Sequence, residues 1–329
     1  MASIRIAGTG SYVPERVLTN HDLEKMVDTT DEWIVQRTGI RERRIAEPHV
    51  NTSDLAQEAS LKALEAANLT PDELELIIVA TITPDTCCPS AANRLQAKLG
   101  AKNAVSFDIT AACTGFIFAL STAAQYLKNG EYENALIVAS EVLSRTVDWT
   151  DRARCILWGD AAGAVVLNQS KKGAEVLSTH IHSDGSAGSN LLLPGGDSST
   201  TPISRESVEE GLHYLKLING NKTFKVAVKR FAESCQETAA YNGYSMSDID
   251  LIIPHQANLR IIHAFAERLK FPKEKVFVNI DRYGNSSAAS VPLALDQAVR
   301  SGQIQPAHKV LLTAFGGGLT WGSSLIRWH

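Results

Sequence analysis

Leu76-Ile77-Ile78-Val79-Ala80 is an unbroken apolar run that gives way to a loop carrying Pro84. Leu251-Ile252-Ile253 repeats it further along and ends at Pro254-His255. Each reads as a strand buried on both faces, because a run with no polar alternation has no side to offer water. A strand, a polar turn and an apolar helix follow each run, over 105–127 and 276–299. Another strand comes next, Ala135-Leu136-Ile137-Val138-Ala139 or Val310-Leu311-Leu312-Thr313-Ala314. Ile78 and Ile253 lie 175 residues apart, Ile137 and Leu311 174, and Cys113 and Asn285 172. A period this long is no solenoid repeat. It predicts an α/β chain of two similar halves, each with apolar strands covered by helices on both faces. The join falls in the polar stretch Asn168-Gln169-Ser170-Lys171-Lys172-Gly173, dividing the chain into residues 1–172 and 173–329.

The repeat places three chemically distinct groups at comparable strand ends. Cys113 follows the strand Val105-Ser106-Phe107-Asp108-Ile109 and opens a helix that closes near Asn129-Gly130. A thiol at a helix start faces free N–H groups and the positive helix end, which is expected to stabilise its thiolate. His255 leaves the second sheet at the strand end where α/β sheets bind ligands. Asn285, in Tyr283-Gly284-Asn285-Ser286-Ser287, shares the turn type of Cys113, so a pseudo-twofold axis brings both to one cleft. Nucleophile, imidazole and amide together point to covalent acyl chemistry. Singly they read as a buried cysteine, a structural histidine and a turn or cap residue. Gly316-Gly317-Gly318 after a strand reads as a tight turn, and also as a place where backbone N–H groups reach an oxyanion.

The chain has 329 residues, 44% of them apolar and 21% charged, with a formal charge of −4. These are values of a globular chain with a substantial core, not of a nucleic-acid binder. No apolar run reaches the ~20 residues of a membrane span. Met1-Ala2-Ser3-Ile4-Arg5-Ile6 passes straight into a strand pattern, so no secretion signal is expected. Five irregularly spaced cysteines suit a reducing cytoplasm. Gly8-Thr9-Gly10 lacks the third glycine of a dinucleotide fingerprint, and neither a phosphate-binding loop nor a GxSxG elbow occurs. Adjacent Cys87 and Cys88, and His180 with His182, lack the spacing of a zinc site, so no metal is expected.

Trp33 with Arg37 and Arg152 suits a phosphate and a flat base, while Arg41, Arg43 and Arg44 read as solvated arginines. Lys222, Lys225, Lys229, Arg260 and Arg268 lie on predicted helices, as a solvated face or as a docking patch for an acidic partner. Asp184 to Ser204, rich in Gly, Ser, Thr and Pro, reads as a surface loop.

Six motifs together resemble β-ketoacyl-acyl carrier protein synthase III, nearly end to end. They are Asp31-Glu32-Trp33-Ile34 with Arg37-Thr38-Gly39-Ile40-Arg41, Ala112-Cys113-Thr114-Gly115-Phe116, Gly159-Asp160-Ala161-Ala162-Gly163, Pro254-His255-Gln256-Ala257-Asn258-Leu259-Arg260, Gly284-Asn285-Ser286-Ser287-Ala288-Ala289-Ser290 and Phe315-Gly316-Gly317-Gly318. The resemblance implies the thiolase fold, duplicated α/β halves layered αβαβα. It also implies a cytoplasmic homodimer that starts type II fatty acid synthesis. The implied reaction is a decarboxylative condensation of a short acyl-CoA, such as acetyl-CoA, with malonyl-acyl carrier protein. Coenzyme A thioester is then a substrate, and no cofactor is implied. Cys113, His255 and Asn285 would be catalytic, and the N–H groups of Cys113 and Gly317 would form the oxyanion hole. Thr29, Trp33, Arg37, Arg152, Gly220, Asn221, Ala257 and Asn258 would line the coenzyme A channel. Lys225, Gln256, Ala257, Asn258, Leu259, Arg260 and Arg268 would meet the carrier protein.

Two positions depart from the family pattern. Trp158 stands where Phe is usual in the acyl pocket, and Cys88 stands where a partner-subunit Phe or Thr would close it. The larger Trp shortens the pocket and the smaller Cys deepens it, which leaves chain-length preference open. Rival readings are a related acyltransferase or condensing enzyme of specialised metabolism, a cysteine hydrolase and a non-catalytic acyl binder. The enolate-stabilising amide of Asn285 favours condensation over simple transfer.

Overall fold

The computed structural model describes residues 3–169, 172–186, 191–195, 201–218 and 220–329. The first half contributes strands β1 (Arg5–Tyr12), β2 (Leu76–Ala80), β3 (Val105–Ile109), β4 (Asn134–Glu141) and β5 (Ala161–Asn168). The second contributes β6 (Ala174–Ser183), β7 (Leu251–Pro254), β8 (Lys309–Gly316) and β9 (Thr320–Arg327). They hydrogen-bond in the order β3-β2-β4-β5-β1 and then β6-β9-β8-β7. β2 is parallel to β3 and β4, as β7 is to β8, and the other pairings are antiparallel. The two sets meet between β1 and β6 through only two residue pairs, Arg5–Glu175 and Ile6–Ala174. Ser170 and Lys171 in the expected join lie outside the described residues, as do 187–190 and 196–200 of the expected loop.

The expected strand at Val276 is reduced to one bridge with Ile252. The Gln256 side chain takes the ladder's place. Its amide nitrogen donates to the Phe277 carbonyl (3.2 Å), and its oxygen accepts from Asn279 N–H (3.1 Å).

Among the described residues the α-helices of eight residues or more are α1 (Asp31–Thr38), α2 (Thr52–Ala67), α3 (Ala91–Leu99), α4 (Gly115–Lys128), α5 (Gly220–Tyr241), α6 (Leu259–Leu269) and α7 (Ser290–Arg300), and all but α1 pack on the strands. Strand alternation divides their contacts. Leu76, Ile78 and Ala80 of β2, with Leu251 and Ile253 of β7, pack on Phe116 and Leu120 of α4 and Val291 and Leu295 of α7. Ile77 and Val79 face the other way, onto Leu55 and Ala59 of α2 and Leu95 of α3. Ile252 and Leu311 meet Phe231 of α5 and Phe265 of α6. The result is an αβαβα stack, and α4 and α7 are mostly buried because they form its middle layer. Each fully buried Leu, Ile or Phe there contributes about 1.5–3 kcal/mol. Gly8 and Gly10 are explained by close packing, since a Cβ at either would collide with the backbone of α2.

The duplication extends to backbone conformation. Ala112 (φ +44°) and Ser287 (φ +49°) are both left-handed and 175 residues apart. Each opens a single 3₁₀ turn, Ala112–Thr114 or Ser287–Ala289, that runs into α4 or α7. Such a conformation costs a non-glycine residue about 1–3 kcal/mol and is typical of functional turns. The counterpart of Cys113 is therefore Ala288, and Asn285 lies three residues ahead of it in the same turn.

Candidate active site

Both turns open onto one cavity of about 440 Å³, with Cys113, His255 and Asn285 in its wall. Cys113 is 5% exposed. Gly316 lies hard against its backbone, where a Cβ would come within 2.7 Å of Cys113 N. This close approach brings the Gly317 N–H to the sulfur alongside the N–H of Cys113 itself, and both lower the thiol pKa. The positive φ expected of the glycine run is found at Gly318 (+76°). The expectation of a stabilised thiolate does not hold in the resting site. Burial pushes the Cys113 thiol up to about 11, and the charge of Glu141 adds to this against the N–H donors. The sulfur rests as a neutral thiol.

His255 is 1% exposed, and burial pushes it down to about 3, so it is neutral at physiological pH. Its Nδ1 is 2.6 Å from the Ser290 hydroxyl, which also accepts from Gln256 N–H at 3.3 Å. Nδ1 is the one acceptor the Ser290 hydroxyl has among the described residues, so we assign the hydroxyl hydrogen to Nδ1 and the imidazole proton to Nε2, the nitrogen left for the cavity. Asn285 is held by its backbone to Leu157 and Gly159 (2.8 and 3.0 Å). Its Oδ1 accepts from Ser287 N–H at 2.9 Å, which leaves the amide N–H₂ as the free end. Two N–H donors and a thiol therefore face one space.

Removing the Ser290 hydroxyl leaves Nδ1 buried without its partner. Ser290→Ala is expected to lower condensation about tenfold while leaving acyl loading of Cys113 unchanged. Separate assays of the two half-reactions check this.

Family models described as 3-oxoacyl-[acyl-carrier-protein] synthase III and its C-terminal region match residues 107–185 and 239–328. A beta-ketoacyl-[acyl-carrier-protein] synthase III of Xanthomonas campestris pv. campestris is 54% identical over 98% of each chain. One from Caldanaerobacter subterraneus subsp. tengcongensis is 51% identical over 98% of this chain and 97% of its own. The chain belongs to the β-ketoacyl-[acyl-carrier-protein] synthase III family. The crystal structure of the Aquifex aeolicus 3-oxoacyl-[acyl-carrier-protein] synthase III superimposes with a TM-score of 0.91 at 47% identity, over 99% of this chain and 100% of that one. Like its relatives in the synthase III family, the chain is a condensing acyltransferase of the thiolase fold.

The other residues that the synthase III resemblance singled out divide by position. Trp33, Arg37, Arg152, Gly220, Ala257 and Asn258 line the cavity. The guanidinium carbons of Arg37 and Arg152 lie 5.5 and 4.8 Å from the Trp33 ring, a cationic and aromatic cluster at its wall. Asn258 caps α6 and donates to the Arg37 carbonyl (3.1 Å), tying this cluster to the second half. Thr29 is absent from the described wall, and the Asn221 and Lys222 side chains lie outside the described residues. Lys225, Arg260 and Arg268 are exposed, and Leu259 is half-buried against Gly39.

Three readings are corrected. Gln256 is 1% exposed and engaged with the backbone, so it offers nothing to a docking partner. Arg43 is fully buried, donating to Asn20 Oδ1 and the carbonyls of Leu18 and Ile156 (2.8, 3.2 and 2.8 Å). Burial pushes it down to about 10, because nothing solvates its charge. Arg44 stacks on Tyr283 and pairs with Glu42 (3.6 Å). Trp158 is buried in the cavity wall and bridges to Asn285, whereas Cys88 is exposed and not part of the described wall. Ser287, Ser290 and Glu141 went unnoticed. The last is legible as a carboxylate that follows the apolar run 135–139 and Ser140.

Proposed function

We propose that this chain condenses a short acyl-CoA with malonyl-acyl carrier protein and releases CO₂. One cavity uniting a thiol with two N–H donors from the other half carries the reading. In the first step the Cys113 sulfur attacks the acyl-CoA carbonyl, the bond to coenzyme A breaks, and an acyl-enzyme remains. The N–H groups of Cys113 and Gly317 hold the developing oxyanion, each donor worth about 3–4 kcal/mol. In the second, malonyl thioester loses CO₂ while its thioester oxygen accepts from His255 Nε2–H and the Asn285 amide. The carbanion attacks the acyl-enzyme and expels Cys113. Charge is carried by hydrogen bonds throughout, so the reading includes no resident metal or cofactor. Residues 1–172 supply the nucleophile, and residues 173–329 the imidazole and amide.

Trp33, Arg37 and Arg152 suit the base and phosphates of coenzyme A. Exposed Arg260, Lys225 and Arg268 suit an acidic carrier protein. We also read the chain as a cytoplasmic homodimer. β3 is a sheet edge with Val105 49% exposed, and exposed Cys88 is free to close a partner's pocket. No helix of the described residues is long and apolar enough to cross a membrane. The test is to mix acetyl-CoA with malonyl-carrier protein and follow both CO₂ and acetoacetyl-carrier protein. An acetylated enzyme that releases no CO₂ would favour simple acyl transfer, and thioester hydrolysis without malonyl consumption would favour a hydrolase.

A further inference from the structure

A neutral thiol must lose its proton before it attacks, and its histidine is badly placed to take it. His255 is held by Ser290 at Nδ1, carries its hydrogen on Nε2, and is pushed well below the ordinary range of imidazole. A second buried acid–base group lies behind the sulfur. Glu141, the last residue of β4, is fully buried. Its Oε2 accepts from Thr83 Oγ1 (2.7 Å), Thr81 Oγ1 (3.1 Å) and Ile82 N–H (3.1 Å). Oε1 has a single long contact, 3.3 Å from the same Ile82 N–H, and so has room for a proton. Ser287 neighbours both carboxylate and thiol, fully buried in the left-handed position of the opposing turn. Its hydroxyl forms no well-shaped hydrogen bond, yet it lies close enough to both groups to lower each of them.

We propose that Glu141 holds the Cys113 proton for the lifetime of the acyl-enzyme, acting through the Ser287 hydroxyl. The inference rests on the acyl-enzyme reading above. Cys113 S–H gives its proton to Ser287 Oγ as Ser287 passes its own to Glu141, and the sulfur keeps the electron pair that bonds the acyl carbon. The bond to coenzyme A breaks with its pair on the coenzyme A sulfur, which takes a proton from water. When the carbanion later expels Cys113, the thiolate recovers its proton from Glu141 along the same path. The groups facing the carboxylate are Thr81, Ile82 and Thr83 after β2, Ser287 before α7, and beyond Ser287 the Cys113 thiol, the ionisable member of this set. Burial pushes Glu141 up to about 7. It is therefore ionised, and able to accept, above that value.

Glu141 and Ser287 act here on the proton of Cys113 and not on the acyl group, and their signature is a pH profile. Loading of Cys113 by acetyl-CoA is followed by rapid quenching and intact mass from about pH 5 to about pH 10. The wild-type rate is expected to rise through an inflection near pH 7 and then level. Glu141→Gln and Ser287→Ala are each expected to abolish that inflection and to load about 100-fold more slowly at neutral pH. Their rates climb only as the thiol itself ionises. A folded variant that keeps the wild-type inflection overturns the proposal, even if its rate is lower, because a purely structural role would leave the profile in place. Should Glu141→Gln fail to fold, Ser287→Ala decides the matter, since it leaves the other donors to Glu141 intact. A wild-type protein that loads no acetyl group would overturn the proposed function instead.

Discussion

Cys113→Ala is expected to abolish acyl loading and to lower condensation by roughly 10⁴-fold or more. The fold should be unaffected, because the matching turn of the second half already carries alanine, Ala288, at this position. The substitution removes the sulfur and nothing that positions it, since the Cys113 and Gly317 N–H groups belong to the backbone. The variant should still decarboxylate malonyl-carrier protein slowly, because the proposed mechanism takes both enolate donors from His255 and Asn285. Intact mass after exposure to acetyl-CoA, together with CO₂ release, checks both halves of the expectation. Full condensation by this variant would dismiss the acyl-enzyme.

His255→Ala and Asn285→Ala are expected to give the opposite separation. Each should still accept an acetyl group, and each should lose condensation by about 10²–10³-fold, the usual effect of one oxyanion donor. The pair acts on one oxygen, so the double variant should lose less than the product of the singles. Because burial holds His255 near 3, its imidazole stays uncharged across the physiological range. The condensation half-reaction should therefore have no inflection from a histidine near its ordinary value of about 6.5. Measuring malonyl decarboxylation on preloaded enzyme against pH checks this point. Loss of loading in either variant would contradict the assignment of donors to the second step.

Much of this was legible in the residues. The apolar runs at 76–80 and 251–253 carry the duplication because they are short, end at proline-containing loops, and recur with their successors at one spacing. Cys113, His255 and Asn285 stood out as polar groups at the ends of such runs. The residues that support them were not legible. Ser287 and Ser290 belong to a serine-rich turn whose members look alike until the fold aims one at the thiol and another at the imidazole. Gln256 looked like a surface residue because it adjoins a helix start, yet its amide replaces a missing strand ladder. Arg43, among other arginines, gave no sign of burial, since its neighbours Arg41 and Arg44 are more open to solvent. Composition does not distinguish these cases, because each depends on a partner more than 20 residues away.

The strands of the two halves touch along a seam of two residue pairs, while the chemistry is divided across it. On the proposed mechanism one side holds the sulfur, and the other holds what stabilises the enolate. A fragment cut at that seam would be half a reaction: the first piece has an attacking atom with no partner for it to join, the second a carbanion cradle with nothing to receive the carbanion. The doubled fold is therefore not two small catalysts side by side. It is one, and on the proposed mechanism neither half is a working enzyme alone.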